Sequence, residues 1–144
     1  MRNTWFHTGD LGMFDQDGYF HFVDRKKDSL RRRGENISSY GMETAFLQHA
    51  EVVEVAVHSV PSDVTGDDVK VTAVLRHGAL LTEEDLCRWS LDRVPYFAVP
   101  RYIEFRPALP KNPVGRVIKY QLREDGVTSS TWDREKSAIE ILKR

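Results

Sequence analysis

The chain has 144 residues, 40% hydrophobic and 30% charged, and its 21 basic side chains against 22 acidic ones leave a formal net charge of -1. That composition suits one globular domain, or one domain plus a fragment of another, and excludes a disordered chain or one built mainly to coat nucleic acid or anionic membrane. The single cysteine, Cys87, excludes an intramolecular disulfide and a thiolate metal cluster, and none of the five histidines has a zinc-finger partner, so no metal site is expected.

In chain order, HTGDLGMF and YFHFVD flank Asp15-Gln16-Asp17-Gly18 and predict a β-hairpin, too small to stand alone in water. From Lys27 the chain turns basic. Gly34 and a Ser38-Ser39 cap then precede Met42, Ala45, Phe46 and His49, whose spacing predicts a short amphipathic helix. Val53, Val55 and Val57 alternate with Glu54, Ala56 and His58 up to Val60-Pro61, and Val69, Val71, Ala73 and Leu75 alternate with Lys70, Thr72, Val74 and Arg76. Two adjacent half-buried strands are expected there.

Thr82 caps a second helix with Glu83, Glu84 and Asp85 in its first turn and Leu86, Trp89 and Leu91 toward the core, ended by VPYFAVP. YIEFRPALP predicts a third strand, residues 117–123 a short helix, and STWDREKSAIEILKR a terminal helix carrying Trp132, Ile139 and Leu142. The expected fold class is α+β, a small, mainly three-stranded sheet with flanking helices plus the N-terminal hairpin. No apolar run approaches the ~20 residues that span a bilayer, and MRNTWFHTGD lacks a signal-peptide core, so a cytoplasmic protein away from membranes is expected.

The nine positions from Arg25 to Arg33 hold six basic residues. As a strand, this run divides its charge: Lys27, Ser29, Arg31 and Arg33 face one way, Asp28, Leu30 and Arg32 the other. Its flanking aromatics, Phe22 and Tyr40, bracket it without interleaving. A solvated strand is therefore preferred to a nucleic-acid patch. Thr8-Gly9-Asp10 taken alone reads as a turn, although a carboxylate beside a glycine turn also suits the paired hydroxyls of a ribose. Gly115-Arg116 and Lys111 read as a surface loop or as a phosphate approach. No histidine is assigned to catalysis.

Taken together and in order, WFHTGDLGMFDQDGYFHFVDRKKDSLRRRGENIS, SVPSDVTGDDVKVTAVL, PYFAVPRYIEF and LPKNPVGRVIKYQLRE resemble the C-terminal portion of adenylate-forming enzymes, nearest to crotonobetaine/carnitine-CoA ligase-like acyl-CoA synthetases. The resemblance spans nearly the whole chain. It implies an ATP-dependent ligase that joins a small or medium carboxylic acid to AMP and then to the thiol of CoA, in two orientations of a small domain against a large one. Residues 1 to 26 would then end the large N-terminal domain, and residues 27 to 144 would form the mobile one. The family pattern places nucleotide contacts at Asp10 and Arg25, the hinge at Lys27, and the loop approaching CoA at Gly34, Glu35 and Asn36. ATP, AMP and CoA are the implied ligands, with magnesium carried by ATP and held outside this chain.

Two departures from the pattern stand out. A Gly-Lys pair whose lysine serves adenylation is here Gly115-Arg116, and Arg is no conservative stand-in for Lys. Either Arg116 or Lys119 supplies the cation, Lys119 being preferred because an i to i+3 step keeps it on a neighbouring face, or adenylation is impaired; Lys111 is a further candidate. At Gly41 the family usually has an acid, while Glu43 keeps the second one. The phosphate loop, acyl pocket and adenine motif of the family would precede Met1, so the chain alone is expected to be an inactive fragment. Loading of a carrier-protein thiol, or a stand-alone module using residues 27–33, are the alternatives.

Overall fold

The computed structural model describes residues 7–64 and 66–143; the six residues that begin the expected hairpin segment lie outside them. Strands β1 (Asp10–Phe14) and β2 (Phe20–Arg25) form the antiparallel hairpin. Its turn is held by Asp15, whose Oδ1 accepts the amides of Asp17 and Tyr19, both at 2.9 Å, and Gly18 takes the positive φ of 85° that a side chain resists.

A second, tight hairpin follows, β3 (Leu30–Arg32) and β4 (Glu35–Ile37). Arg33 and Gly34 make its turn with φ values of 50° and 83°, the paired left-handed geometry that matches strand twist. Helix α1 (Ser39–Phe46) starts at Ser38, whose hydroxyl accepts the Gly41 amide at 3.0 Å. Gly41 sits in that first turn with room around it, and Glu43 reaches from the helix to the Val57 amide at 3.0 Å.

The centre of the molecule is the long antiparallel pair β5 (Val52–Ser62) and β6 (Gly66–Leu75), with β7 (Tyr102–Phe105) parallel to β6. These are the three expected strands. The short strands β3, β4 and β8 (Trp132–Asp133) extend the sheet to six. Val55, Val57, Val69, Val71, Ala73 and Ile103 point to one face, where Met42 and Phe46 of α1 and Leu86 and Cys87 of α2 (Glu83–Ser90) complete the apolar core.

The opposite face is polar and still buried. Helix α3 (Lys119–Asp125) covers part of it with Leu122 against Ala56 and Leu109. His58, Lys70, Thr72 and Glu104 fill the rest, each at most 4% exposed. Lys70 pairs with Glu104 and donates to the Gly126 carbonyl at 2.6 Å, and Glu104 also accepts from Arg106 at 2.8 Å and Thr131 at 3.0 Å. Such burial is tolerable because every charge is matched.

Two expectations are corrected. A bulge between Val52 and Glu54 turns Val53 outward, 56% exposed, so the strand's core residue there is Val52. The terminal helix does not form: Thr131 is tied to Thr128, β8 pairs with β7, and only one 3-10 turn (Arg134–Lys136) follows. Ile139 still reaches the core, while Leu142 is exposed. Among the described residues no helix is long and apolar enough to cross a membrane.

Candidate active site

A cleft of about 840 Å³ opens between the first hairpin, α1 and the loop before α3; Asp10, Arg25, Lys27, Arg116 and Lys119 all line it. Five of the residues singled out from sequence therefore meet in one place, although they are spread over more than a hundred positions.

Asp10 and Arg25 are register partners at the open end of the first hairpin, with Arg25 Nε 3.6 Å from Asp10 Oδ1. The hairpin is closed behind them by the Lys26 amide, which donates to the Gly9 carbonyl at 2.8 Å. Lys27 follows in a turn held by the amides of Asp28 and Ser29 on the Arg25 carbonyl, at 3.0 and 3.1 Å. Its side chain is exposed.

Across the cleft, Lys111 and Val117 bridge to close a loop around Asn112. Asn112 Oδ1 accepts the amides of Val114 at 3.2 Å and Arg116 at 2.8 Å, and Gly115 takes a φ of 83°. This side-chain-to-backbone pinning fixes the Arg116 backbone and leaves its guanidinium exposed.

Lys119 is differently placed. Its Nζ lies 2.6 Å from Glu43 Oε1 and 2.9 Å from Ser39 Oγ, at the start of α3 and largely covered. Burial pushes the Glu43 carboxyl above its usual range, against the opposing pull of Lys119. Lys111 is likewise engaged, with Glu54.

The cleft is thus uneven in charge. Arg25 faces Asp10, Lys119 faces Glu43 and Arg123 faces Asp28 at 3.3 Å, while Lys27 and Arg116 have no side-chain partner among the described residues. Asp24 also lines the cleft, whose exposed positive charge comes from Lys27 and Arg116, an arrangement able to take an anionic group beside Asp10 and Arg25.

Gly34, Glu35 and Asn36 do not line this cleft; they sit exposed at the tip of the second hairpin. A Cβ on Gly34 would meet nothing within 4 Å, so its positive φ, and not crowding, is what calls for glycine here. The basic run does not form the single strand expected over 27–33: residues 26–28 turn, and only Leu30–Arg32 is a strand, so the alternation holds there. Arg31 and Arg33 are exposed, but Arg32 is 3% exposed, donates to the Val99 carbonyl at 3.0 Å and pairs with Asp68 at 3.2 Å, so the three arginines cannot act as one patch.

Sequence reasoning passed over Asp24, Ser39, Asp28 and Asn112 as site residues. Their polarity in a capping or turn context was the only available signal, and such residues are common. Burial pushes the Cys87 thiol up to about 11, which removes it as a nucleophile, and no group of metal-ligating side chains occurs among the described residues.

Comparison with known proteins fits this geometry. Residues 41–116 match the AMP-binding enzyme C-terminal domain. The chain is 38% identical over 121 residues to a crotonobetaine/carnitine-CoA ligase of Salmonella arizonae, covering 84% of this chain and 23% of that one. It is 37% identical over 125 residues to a long-chain-fatty-acid-CoA ligase of Bacillus subtilis, covering 87% and 22%. Among solved structures, ATP-bound MatB from Rhodopseudomonas palustris superposes with a TM-score of 0.79 at 34% identity, covering 83% of this chain and 24% of that one. Apo MatB superposes at 0.71 with the same identity and coverage. The chain therefore spans about a quarter of the length of the relatives it matches.

Proposed function

Because the chain belongs to the AMP-binding enzyme C-terminal domain family, as the C-terminal domain of an adenylate-forming acyl-CoA synthetase, we propose that it serves both half-reactions of an ATP-dependent acid-thiol ligase. In the first, a carboxylate oxygen attacks the α-phosphorus of ATP and pyrophosphate leaves. In the second, the CoA sulfur attacks the acyl carbon, AMP leaves and the thiol proton passes to solvent.

Residues 1 to 26 end the large domain in this reading, and residues 27 to 144 turn about Lys27 between the two steps. Lys27 suits that role: its side chain is exposed in a turn and stays solvated whichever way the backbone moves. Asp10 binds the ribose hydroxyls, with Arg25 beside it. Arg116 is the adenylation cation. Its guanidinium is without a side-chain partner among the described residues and faces the same cleft from a pinned backbone, whereas Lys119 is engaged by Glu43 and Ser39. A fixed cation aimed at the charge developing on the α-phosphate stabilises the transition state more than the ground state.

The convergence of Asp10, Arg25 and Arg116 on one cleft is the observation that carries this reading. Gly34, Glu35 and Asn36, exposed on a hairpin away from the cleft, suit the CoA-facing role in the other orientation.

The test is complementation. A separately produced large domain of the enzyme, mixed with this chain, ATP, magnesium, a medium-chain acid and CoA, gains thioester formation. No gain with CoA or with a phosphopantetheinyl carrier overturns the reading, and gain with the carrier alone moves the acceptor to a carrier protein.

A further inference from the structure

Three successive residues of β2 touch three successive residues at the start of α1, and Lys27 lies between the two sets in sequence. The Phe22 and Tyr40 rings meet edge to face at 5.5 Å. Ser38 Oγ donates to the Val23 carbonyl at 3.1 Å. Asp24 Oδ2 accepts the Ser39 amide at 2.7 Å, and both of its oxygens lie 3.1 Å from Ser39 Oγ. Asp24 is 4% exposed and Ser39 fully buried.

Ser39 is the junction of this contact. Its hydroxyl donates forward to Asp24 and accepts Lys119 Nζ, which in turn is held by Glu43. A continuous chain of polar contacts thus runs from β2 through α1 to the first residue of α3, three positions after Arg116. The apolar core described above is built without these groups, and Glu43 also accepts the Val57 amide of β5.

We infer that Asp24, Ser39, Lys119 and Glu43 form an orientation lock, holding the first hairpin against α1 and with it the Arg116 loop in its place over the cleft. The inference rests on Lys27 being the hinge. Rotation there carries Ser39 and Lys119 away from Asp24, because one lies after the pivot and the other before it. Opening takes the Ser39 amide and hydroxyl from a buried carboxylate and leaves it the Arg25 amide until water replaces them, which sets a barrier between the two orientations. Ser39 and Asp24 are positioning residues in this account; neither touches a reacting atom.

The experiment uses the 144-residue chain and limited trypsin digestion, read by mass spectrometry at the exposed Lys26 and Lys27. In Ser39→Ala, cleavage after these lysines accelerates by about tenfold or more, as loss of a hydrogen bond to a charged group implies. Asp24→Asn keeps an acceptor for the Ser39 amide and gives a smaller rise confined to the same sites. Equal rates in wild type and both variants overturn the lock, as does cleavage that starts simultaneously in the buried strands at Lys70. No ATP, acid or CoA enters this measurement, so its failure is separable from failure of the ligase reading, which the complementation assay decides.

Discussion

Lys119 and Glu43 are joined at 2.6 Å, Nζ to Oε1, with side chains only 15% and 18% exposed. The pair engages Lys119, three positions after Arg116, within the protein itself. It also makes a stability prediction. Lys119→Met strands a covered carboxylate and costs roughly 1–3 kcal/mol. Glu43 already holds its proton above its ordinary value because of burial, and the loss of Lys119 raises it further. An acid whose folded value lies above its unfolded one loses stability as pH rises past the unfolded value. The variant's deficit in thermal midpoint is therefore larger near pH 8 than near pH 5.

Acid unfolds the chain in two windows. Burial holds the His58 imidazole down at about 4 against its ordinary 6.5, and its ring nitrogens meet the Ser59 carbonyl and the Thr72 hydroxyl. The folded chain binds that proton less readily than the unfolded one, so this stability is complete above 6.5. It is lost as pH falls toward 4, by about 3 kcal/mol at most. Burial alone would raise Glu104, but the hydrogen bonds from Lys70, Arg106 and Thr131 outweigh it and hold the carboxyl at about 2. Its contribution is present above 4.5 and lost below. Urea midpoints measured against pH show both slopes, and His58→Gln abolishes the upper one alone.

Much of this arrangement was legible in the sequence. The alternation of Val69, Val71 and Ala73 with Lys70 and Thr72 gave the strand and its core face, and Thr82 with three acids placed α2. What alternation could not tell was that the polar face is buried too, since that depends on α3 and the 126–131 loop folding back over Lys70 from more than fifty residues away. The terminal helix failed for a related reason. The segment 130–144 has a helical reading locally, but pairing of Trp132 with Ile103 and the contact of Arg101 with Asp133 draw its start into a strand. Asp10, Arg25, Lys27 and Arg116 were found by motif, whereas the Asp24, Ser39 and Glu43 contacts are purely tertiary.

The ribose assignment predicts a selective loss. In the full-length enzyme, Asp10→Ala raises the KM for ATP by about tenfold or more, the scale of a lost charged hydrogen bond, with a much smaller effect on the KM for the acid. The chain itself keeps its thermal midpoint, because Asp10 is exposed and its ion pair to Arg25 is loose. Steady-state kinetics with each substrate varied in turn makes the distinction.

The most direct test is pyrophosphate exchange in the full-length enzyme carrying either Arg116→Ala or Lys119→Ala, with the overall fold checked by thermal melting. The account predicts that Arg116→Ala lowers the exchange rate by about 10²–10³-fold, the cost of removing one fixed donor from a developing anion, while Arg116→Lys retains most of it. Lys119→Ala lowers the melting temperature and leaves more than about a tenth of the exchange, since no group that touches the phosphates is removed. Undiminished exchange in Arg116→Ala, or a loss confined to Lys119→Ala, contradicts it.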